Sequence, residues 1–312
     1  MGLTTIDFDT PVELPYFAPA DQLPVPLPSF EEIKDSIKEM LVFGDNDRSI
    51  VRFGEHFVIK YGTGVKLIEG ENMLFVRQNC TIPVPKLYAM YQIEDQNDDE
   101  EIVKINVIVT EYIHGKTIWD CLNQNGFTRG QEESVIAQLK AQFNELRSIS
   151  PPSPSFYGVL ARRPYEDPNW NIADRTGRGP FESANKFLDI LFPKEHPTPC
   201  GRSSRINIQS CRTEFHHVSR AHINPVFTHA DFHAQNVILR EDGVPCLIDW
   251  ERAAWYPAYW EYITSAPESS DLTTWHQRRW LTIVNGSLDK YEEEWAVLDK
   301  FWSDTVDQIV YS

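Results

Sequence analysis

Thr228-His229-Ala230-Asp231-Phe232-His233-Ala234-Gln235-Asn236 is the densest run of chemically capable side chains in this sequence, and its reading decides the fold. Immediately downstream, Val237–Arg240 and Pro245–Ile248 are short β-type runs hinged at Glu241-Asp242-Gly243, which is a hairpin signal. A tight hairpin brings its open ends together, so Asn236 before the first strand and Asp249 after the second are predicted to lie close. Two hard oxygen donors there suit Mg²⁺, which takes one or two protein ligands and fills its shell with phosphate and water. Asp231, just outside that pair, is placed to accept a proton from an incoming hydroxyl or to orient it.

A nucleotide's phosphates also need a cation. Lys60 ends the apolar run Phe57-Val58-Ile59, where its long ammonium arm can point into a cleft. A lysine beside apolar walls needs a carboxylate to keep it charged and aimed. Glu69, near the start of the next helix, is the expected partner, with Glu71 as second choice.

Working outward, Ser49–Phe53 and His56–Tyr61 form a hairpin pattern across Gly54-Glu55. Leu67–Gln78 turns helical and stops before Ile82-Pro83-Val84-Pro85, while Leu87–Ile93 and Ile105–Tyr112 read as strands. The acidic run Glu94–Glu101 between them reads as a solvated hairpin loop, with metal binding the lesser option. Upstream, Pro11, Pro15, Pro19, Pro24, Pro26 and Pro28 predict an extended lead-in, and Ser29-Phe30-Glu31-Glu32 a capping box for a helix over 30–41. Downstream, Thr128-Arg129-Gly130-Gln131 caps a helix whose inner face carries Val135, Ile136, Leu139, Phe143 and Leu146. Residues 156–224 are loop-rich apart from a helix near Glu182–Leu191, and 272–310 read as closing helices. A small β-rich part followed by a larger helical part predicts two lobes with a cleft.

Composition narrows the functional classes. The 312 residues carry 29 Lys plus Arg against 46 Asp plus Glu, a formal charge of −17. Such a surface repels phosphate backbones and anionic lipid, which argues against nucleic acid or a membrane as partner. Cationic small molecules would be drawn to it. The five cysteines, at 80, 121, 200, 211 and 246, include no C-x-x-C pair, which predicts reduced thiols and no structural zinc. Met1–Ile6 lacks a basic or apolar leader, and Ile6 stands where a myristoylation motif needs Ser or Thr. A soluble, cytoplasmic protein is expected; nothing in the sequence identifies a protein partner.

Taken in order, the strand lysine, helix glutamate, H-x-D-x-x-x-x-N loop and hairpin aspartate resemble the protein-kinase-like fold in its aminoglycoside phosphotransferase and choline-kinase-like branch. Ile82-Pro83-Val84-Pro85-Lys86 and Val109-Thr110-Glu111-Tyr112-Ile113-His114-Gly115 add to the likeness. Ile248-Asp249-Trp250-Glu251 with Pro257-Ala258-Tyr259-Trp260-Glu261-Tyr262 is similar to fungal members. The resemblance spans roughly residues 45–265, the motifs being specific in combination. It implies an α+β, bilobal architecture: an N-terminal extension and helix (1–44), a nucleotide-binding lobe with an antiparallel sheet and a helix (45–112), and a mainly helical catalytic and acceptor-binding lobe (113–312). It implies an ATP- and Mg²⁺-dependent phosphotransferase acting on a hydroxyl of a small molecule, which the acidic composition leans toward a cationic one. Lys60 would bind the α and β phosphates and Glu69 would hold it. Main-chain groups of Glu111 and Ile113 would meet adenine. Asp231 would be the base or hydroxyl-positioning residue, and Asn236 and Asp249 would hold Mg²⁺. Glu251, Glu261 and Trp260 would lie near the acceptor pocket, with His233 beside the phosphate or acceptor or in a supporting role.

The sequence departs from the family in two places. Ala230 stands where the catalytic loop usually has Gly, a change that matters if the backbone there needs positive φ. There is no G-x-G-x-x-G over the phosphates, only Gly44 and Gly54. Competing readings exist. A metal-dependent hydrolase could use His229, Asp231 and His233 with His216 or His217, but that leaves Lys60, Asn236 and Asp249 idle. A kinase-like scaffold without turnover is another. A protein kinase is disfavoured, because no Asp-Phe-Gly is followed by Ala-Pro-Glu. The aromatics Trp250, Trp255, Tyr256, Tyr259, Trp260 and Tyr262 are expected in the core, a quaternary-amine cage being the alternative.

Overall fold

A computed structural model describes residues 7–44, 47–96, 101–124, 127–165, 178–192, 207–267 and 273–310. Residues 1–6, residues 97–100 of the acidic run, and Cys200 lie outside that set. Contacts group the chain into two compact units, Met1–Lys116 with Ile238–Glu251, and Thr117–Val237 with Arg252–Ser312.

The first unit is built on a six-stranded antiparallel sheet. In chain order its strands are β1 (Tyr16–Phe17), β2 (Leu41–Gly44), β3 (Ser49–Phe53), β4 (Phe57–Gly62), β5 (Leu87–Gln96) and β6 (Ile102–Glu111). They lie side by side as β1-β5-β6-β4-β3-β2. The predicted β3–β4 hairpin turns at Gly54, whose φ of +61° suits glycine. Alternation along the central strands then decides what faces where. Phe57, Ile59, Val107 and Val109 are buried on one face with Ile33 of helix α1 (Phe30–Met40). Met90 meets helix α2 (Ile68–Asn79), where a side chain at Gly70 would come within 2.7 Å of its sulfur. Lys60 is one step out of phase with Phe57 and Ile59, so it points away from the α1 side and toward α2.

The anticipated Ser29–Glu32 capping box forms, with the Ser29 N–H donating to Glu32 Oε2 at 2.8 Å. The proline-rich lead-in is not wholly irregular, because Tyr16–Phe17 pairs with β5 and the Ala18 N–H donates to the Tyr88 carbonyl. Glu94–Gln96 of the acidic run continue β5 rather than opening the loop.

A smaller sheet joins β7 (Gly115–Thr117) to β9 (Val237–Arg240), which pairs with β10 (Pro245–Leu247). The β9–β10 hairpin turns at Gly243 (φ +79°), as the Glu241-Asp242-Gly243 signal predicts. Gly115 is required there, since a Cβ would stand 2.2 Å from the Leu239 carbonyl oxygen.

The second unit is mainly helical. Helix α4 (Arg129–Arg147) begins with the predicted Thr128–Gln131 capping box and buries Val135, Leu139, Phe143 and Leu146. It packs on α8 (Trp275–Ser287), and α6 (Ile208–Ser219) packs on α9 (Glu292–Val310). Shorter helices are α3 (Ile118–Asn123), α5 (Ala184–Leu191) and α7 (Trp260–Ser265). The strands β8 (Pro225–Thr228) and β11 (Ala254–Pro257) pair antiparallel and flank the Thr228–Asn236 loop and α7. Helix α6 lies in the stretch expected to be loop; only Phe215 and Ser219 of it are buried, so its apolar period is faint. Among the described residues no helix is long and apolar enough to cross a membrane. Cys80, Cys121, Cys211 and Cys246 are free thiols.

Candidate active site

In the first unit the lysine predicted from sequence finds its expected partner Glu69 and, in addition, Asp249. Lys60 Nζ donates to Glu69 at 2.8 Å and to Asp249 Oδ1 at 3.0 Å. The three side chains are 18%, 4% and 28% exposed, so only Asp249 presents much surface. Burial works against the ammonium charge, but Glu69 and Asp249 outweigh it and hold Lys60 above the ordinary lysine range. Burial pushes the Glu69 carboxyl up to about 7, against the pull of Lys60. Glu71, the second choice, is also buried. Asn72 of α2 donates to the Trp250 carbonyl at 2.8 Å and ties the helix to the segment that carries Asp249. Asp249 itself has φ +66°, a left-handed conformation that aspartate tolerates better than most residues and that surrounding contacts must sustain.

Glu251 was expected near an acceptor. It lies with two cations of the first unit, Lys66 Nζ at 3.6 Å and Arg48 Nη1 at 3.8 Å. Carboxylate oxygens of Glu69, Asp249 and Glu251 fall within 4.8 Å of one another, the one such ligand-type group of three among the described residues. His229, Asp231 and His233 do not belong to that group.

In the second unit the Asp231 carboxylate is the hub. Asn236 Nδ2 donates to Asp231 Oδ2 at 2.8 Å and to its carbonyl at 3.0 Å, fixing the five-residue turn. His233 Nε2 lies 3.6 Å from Oδ2, and Arg252 Nη1 is 3.3 Å from Oδ1. Burial alone would raise the Asp231 carboxyl, but the neighbouring His233 and the Arg252 charge outweigh it and hold it below the usual range. Arg252 was not foreseen. A largely desolvated aspartate that must stay charged needs a cation, and that requirement points to the arginine three residues past Asp249.

His229 is fully buried, and its Nδ1 accepts the Asp231 N–H at 3.3 Å. Ala230 has φ +63°, so the departure from glycine noted in the sequence falls where the backbone is left-handed. Beneath this turn lies Glu261. Its carboxylate accepts the main-chain N–H of His229 at 2.7 Å and of Ala230 at 3.1 Å. Burial raises its carboxyl to about 7, partly opposed by those two hydrogen bonds.

Two acceptor-site expectations are thereby corrected. Glu261 is only 2% exposed and its oxygens are taken up by the loop backbone. Trp260 is 1% exposed, stacked on Tyr256 at 5.6 Å and edge-on to Phe187 at 5.3 Å. Rings packed this closely form core and leave no cage for an amine. On β6, the Glu111 N–H donates to the Lys86 carbonyl, and the Glu111 carboxylate accepts the Lys86 N–H at 3.1 Å. Ile113, two residues on, is partly exposed.

Comparison with solved structures gives the class of fold. The chain is similar to the gentamicin complex of APH(2")-IIa (TM-score 0.52, 17% identity, 92% of this chain and 91% of that one). It is likewise similar to a thermostable mutant of aminoglycoside phosphotransferase APH(4)-Ia bound to AMP-PNP and hygromycin B (TM-score 0.51, 12% identity, 90% and 95%). The GDP complex of aminoglycoside 2'-phosphotransferase-IIIa is a third (TM-score 0.51, 12% identity, 88% and 89%). The fold is thus the kinase-like α+β fold of aminoglycoside phosphotransferases. No curated protein sequence matches the chain. The model of the phosphotransferase enzyme family matches residues 68–301, about three quarters of the sequence, and the chain belongs to that family.

Proposed function

We propose that the protein transfers the γ-phosphoryl group of ATP, with Mg²⁺, to a hydroxyl of a small molecule. The observation that carries this reading is Lys60 held between Glu69 and Asp249, a cation that 189 residues of sequence separate from one of its anchors. Family membership supports phosphoryl transfer; nucleotides and aminoglycosides bound to the similar structures support the reactants.

The chemistry of two oxygen donors supports a magnesium ion in this reading. Asn236 uses its amide nitrogen on Asp231, which leaves its carbonyl oxygen for a hard cation, and Asp249 keeps a partly exposed carboxylate. Asn236 and Asp249 would hold the ion, which when bound would neutralise charge on the phosphates. Lys60 would grip the α and β phosphates, with main-chain groups of Glu111 and Ile113 on adenine. Asp231, kept ionised, is a weak base, so its work is to accept a hydrogen bond from the acceptor hydroxyl and aim it. As the acceptor oxygen bonds to the γ-phosphorus, the bond to the β-bridging oxygen breaks and ADP leaves. The hydroxyl proton passes to Asp231 late, once phosphorus bonding has made it acidic.

With Glu261 and Trp260 buried, the lean toward an amine-bearing acceptor rests on the net charge of −17 and on the aminoglycosides of the similar structures. A cytoplasmic setting is part of the proposal, and free thiols and the use of ATP support it. The test is coupled ATP turnover over amino-sugars, amino-alcohols, nucleosides and sugars, with Asp231→Asn as blank. Turnover by the wild type alone supports the reading; equal inertness of both proteins on every acceptor sinks it.

A further inference from the structure

We infer that Asn72 is the positioning residue that keeps Asp249 in its metal-facing pose when a nucleotide draws on Lys60. This rests on the phosphotransferase reading above and extends it to a residue buried out of reach of either reactant. Helix α2 carries Glu69 and Asn72 three residues apart, hence on one face, and both are buried, at 3% and 0% exposure. From that face α2 reaches the turn after β10 at two neighbouring points. Glu69 holds Lys60 at 2.8 Å, and Lys60 in turn donates to Asp249 at 3.0 Å. One residue further on, Asn72 Nδ2 donates to the Trp250 main-chain carbonyl at 2.8 Å.

The turn needs such support. Asp249 stands at φ +66°, a conformation that persists in a residue other than glycine where its surroundings fix it. The Trp250 indole N–H donates to the Leu247 carbonyl at 3.0 Å, which closes the turn on itself around Asp249. Asn72 then fastens the closed turn to α2. The two attachments respond differently to a ligand. Lys60 is charged and 18% exposed, and in the proposed reaction the phosphates share it, so its hold on Asp249 slackens as nucleotide binds. Asn72 is neutral, fully buried and bonded to a peptide carbonyl, and a phosphate does not compete for that donor. Its bond therefore outlasts nucleotide binding, at the point where the Asp249 carboxylate has to face a cation. A carboxylate whose backbone is already fixed gives up less freedom to the ion, and that difference is affinity.

The test titrates Mn²⁺, a hard cation that takes the same oxygen donors, into the full chain with ADP present and reads bound ion by electron paramagnetic resonance. Asn72→Leu keeps the bulk without the donor, and Asn72→Ala removes the amide without adding bulk. Each is expected to weaken Mn²⁺ about tenfold, while metal-free ADP, titrated calorimetrically in EDTA, stays within about twofold of wild type. That split separates positioning from a general loss of structure, which weakens both ligands alike. A second measurement needs no variant: hydrogen exchange over residues 247–252 of the wild type should stay level when metal-free ADP binds. The inference falls if a folded variant binds Mn²⁺ within about twofold of wild type, if metal-free ADP weakens as much as the ion, or if ADP speeds exchange in that turn. Each of those results leaves the phosphotransferase reading standing. Should the wild type with ADP bind no Mn²⁺, reading and inference fall together.

Discussion

Glu261 and His229 are joined across 32 residues of sequence by a carboxylate that accepts a main-chain N–H at 2.7 Å, and this bond sets where Asp231 stands. The Ala230 N–H enters the same carboxylate. Without it, two buried amides at a left-handed turn would have no acceptor. Glu261→Gln keeps the shape but turns an amide NH₂ toward one of the two donors. Unfolding free energy should fall by about 2 kcal/mol. Turnover number should fall about tenfold or more while KM for ATP holds, because the change displaces Asp231 and touches no nucleotide.

The same carboxyl gives a pH signature. Folding raises it from 4.5 to about 7, so between those values the native state binds more protons than the unfolded chain. Stability contributed by this group is then greatest at low pH, declines as pH climbs through that window, and is level above it. Glu69, raised in the same direction, adds to the slope. Urea denaturation at pH 5, 6, 7 and 8 should show wild type losing stability with rising pH and Glu261→Gln losing less. Identical slopes would refute the assignment.

Lys60→Met leaves Glu69 and Asp249 facing one another with no cation between them. About 3 kcal/mol of stability should be lost near neutrality. Because the buried Glu69 carboxyl, already raised by burial, can then be relieved by protonation, the deficit should shrink as pH falls toward 5. A melting-temperature difference that stays constant with pH would count against the pairing.

Asp231→Asn should reduce turnover number about a thousandfold and leave ATP-induced thermal stabilisation in place. Since the Asp231 carboxyl is held below its usual range, the wild-type rate should show no acid limb from it above pH 5. Arg252→Ala removes one of the groups that lowers it, so an acid limb should move up into the measurable range. A pH–rate profile unchanged by Arg252→Ala would break the link.

Ala230→Gly tests the strain at φ +63°. Relief of about 1–2 kcal/mol in the left-handed region is partly cancelled by the 0.5–1 kcal/mol that glycine loses in chain entropy, roughly. A net gain of about 0.5–1 kcal/mol is expected, seen as a melting temperature higher by about 1–3 °C. Ala230→Val should be clearly destabilised.

The first unit was the more readable part. Its strands β3 to β6 are runs rich in β-branched and aromatic residues, two of its hairpins turn at Gly54 and Gly243, and Lys60 interrupts an apolar strand near a helix that opens with acids. The Asp231–Asn236 spacing is local and was equally plain. What stayed hidden depends on tertiary burial. Glu261 looks like any acid in the first turn of a helix until the three-dimensional fold buries it under His229. Trp260 beside it could have lined a pocket or a core with the same sequence. Arg252 and the Arg48–Glu251 pair join residues far apart or on opposite sides of a turn, and no periodicity reports such meetings. The short β2 and β7 exist only because neighbours pair with them, so their own residues carry little signal.

Residues 238–251 fold with a unit whose remaining members all come from the first 116 positions. This order has a temporal consequence. On the ribosome Lys60 and Glu69 emerge early and can pair at once, but Asp249 follows Lys60 by 189 residues. The Lys60–Glu69–Asp249 trio is thus finished only after most of the helical unit has been made. A fragment ending at Lys116 would carry the cation and one anchor but never the other, so neither half of the gene alone encodes a complete grip.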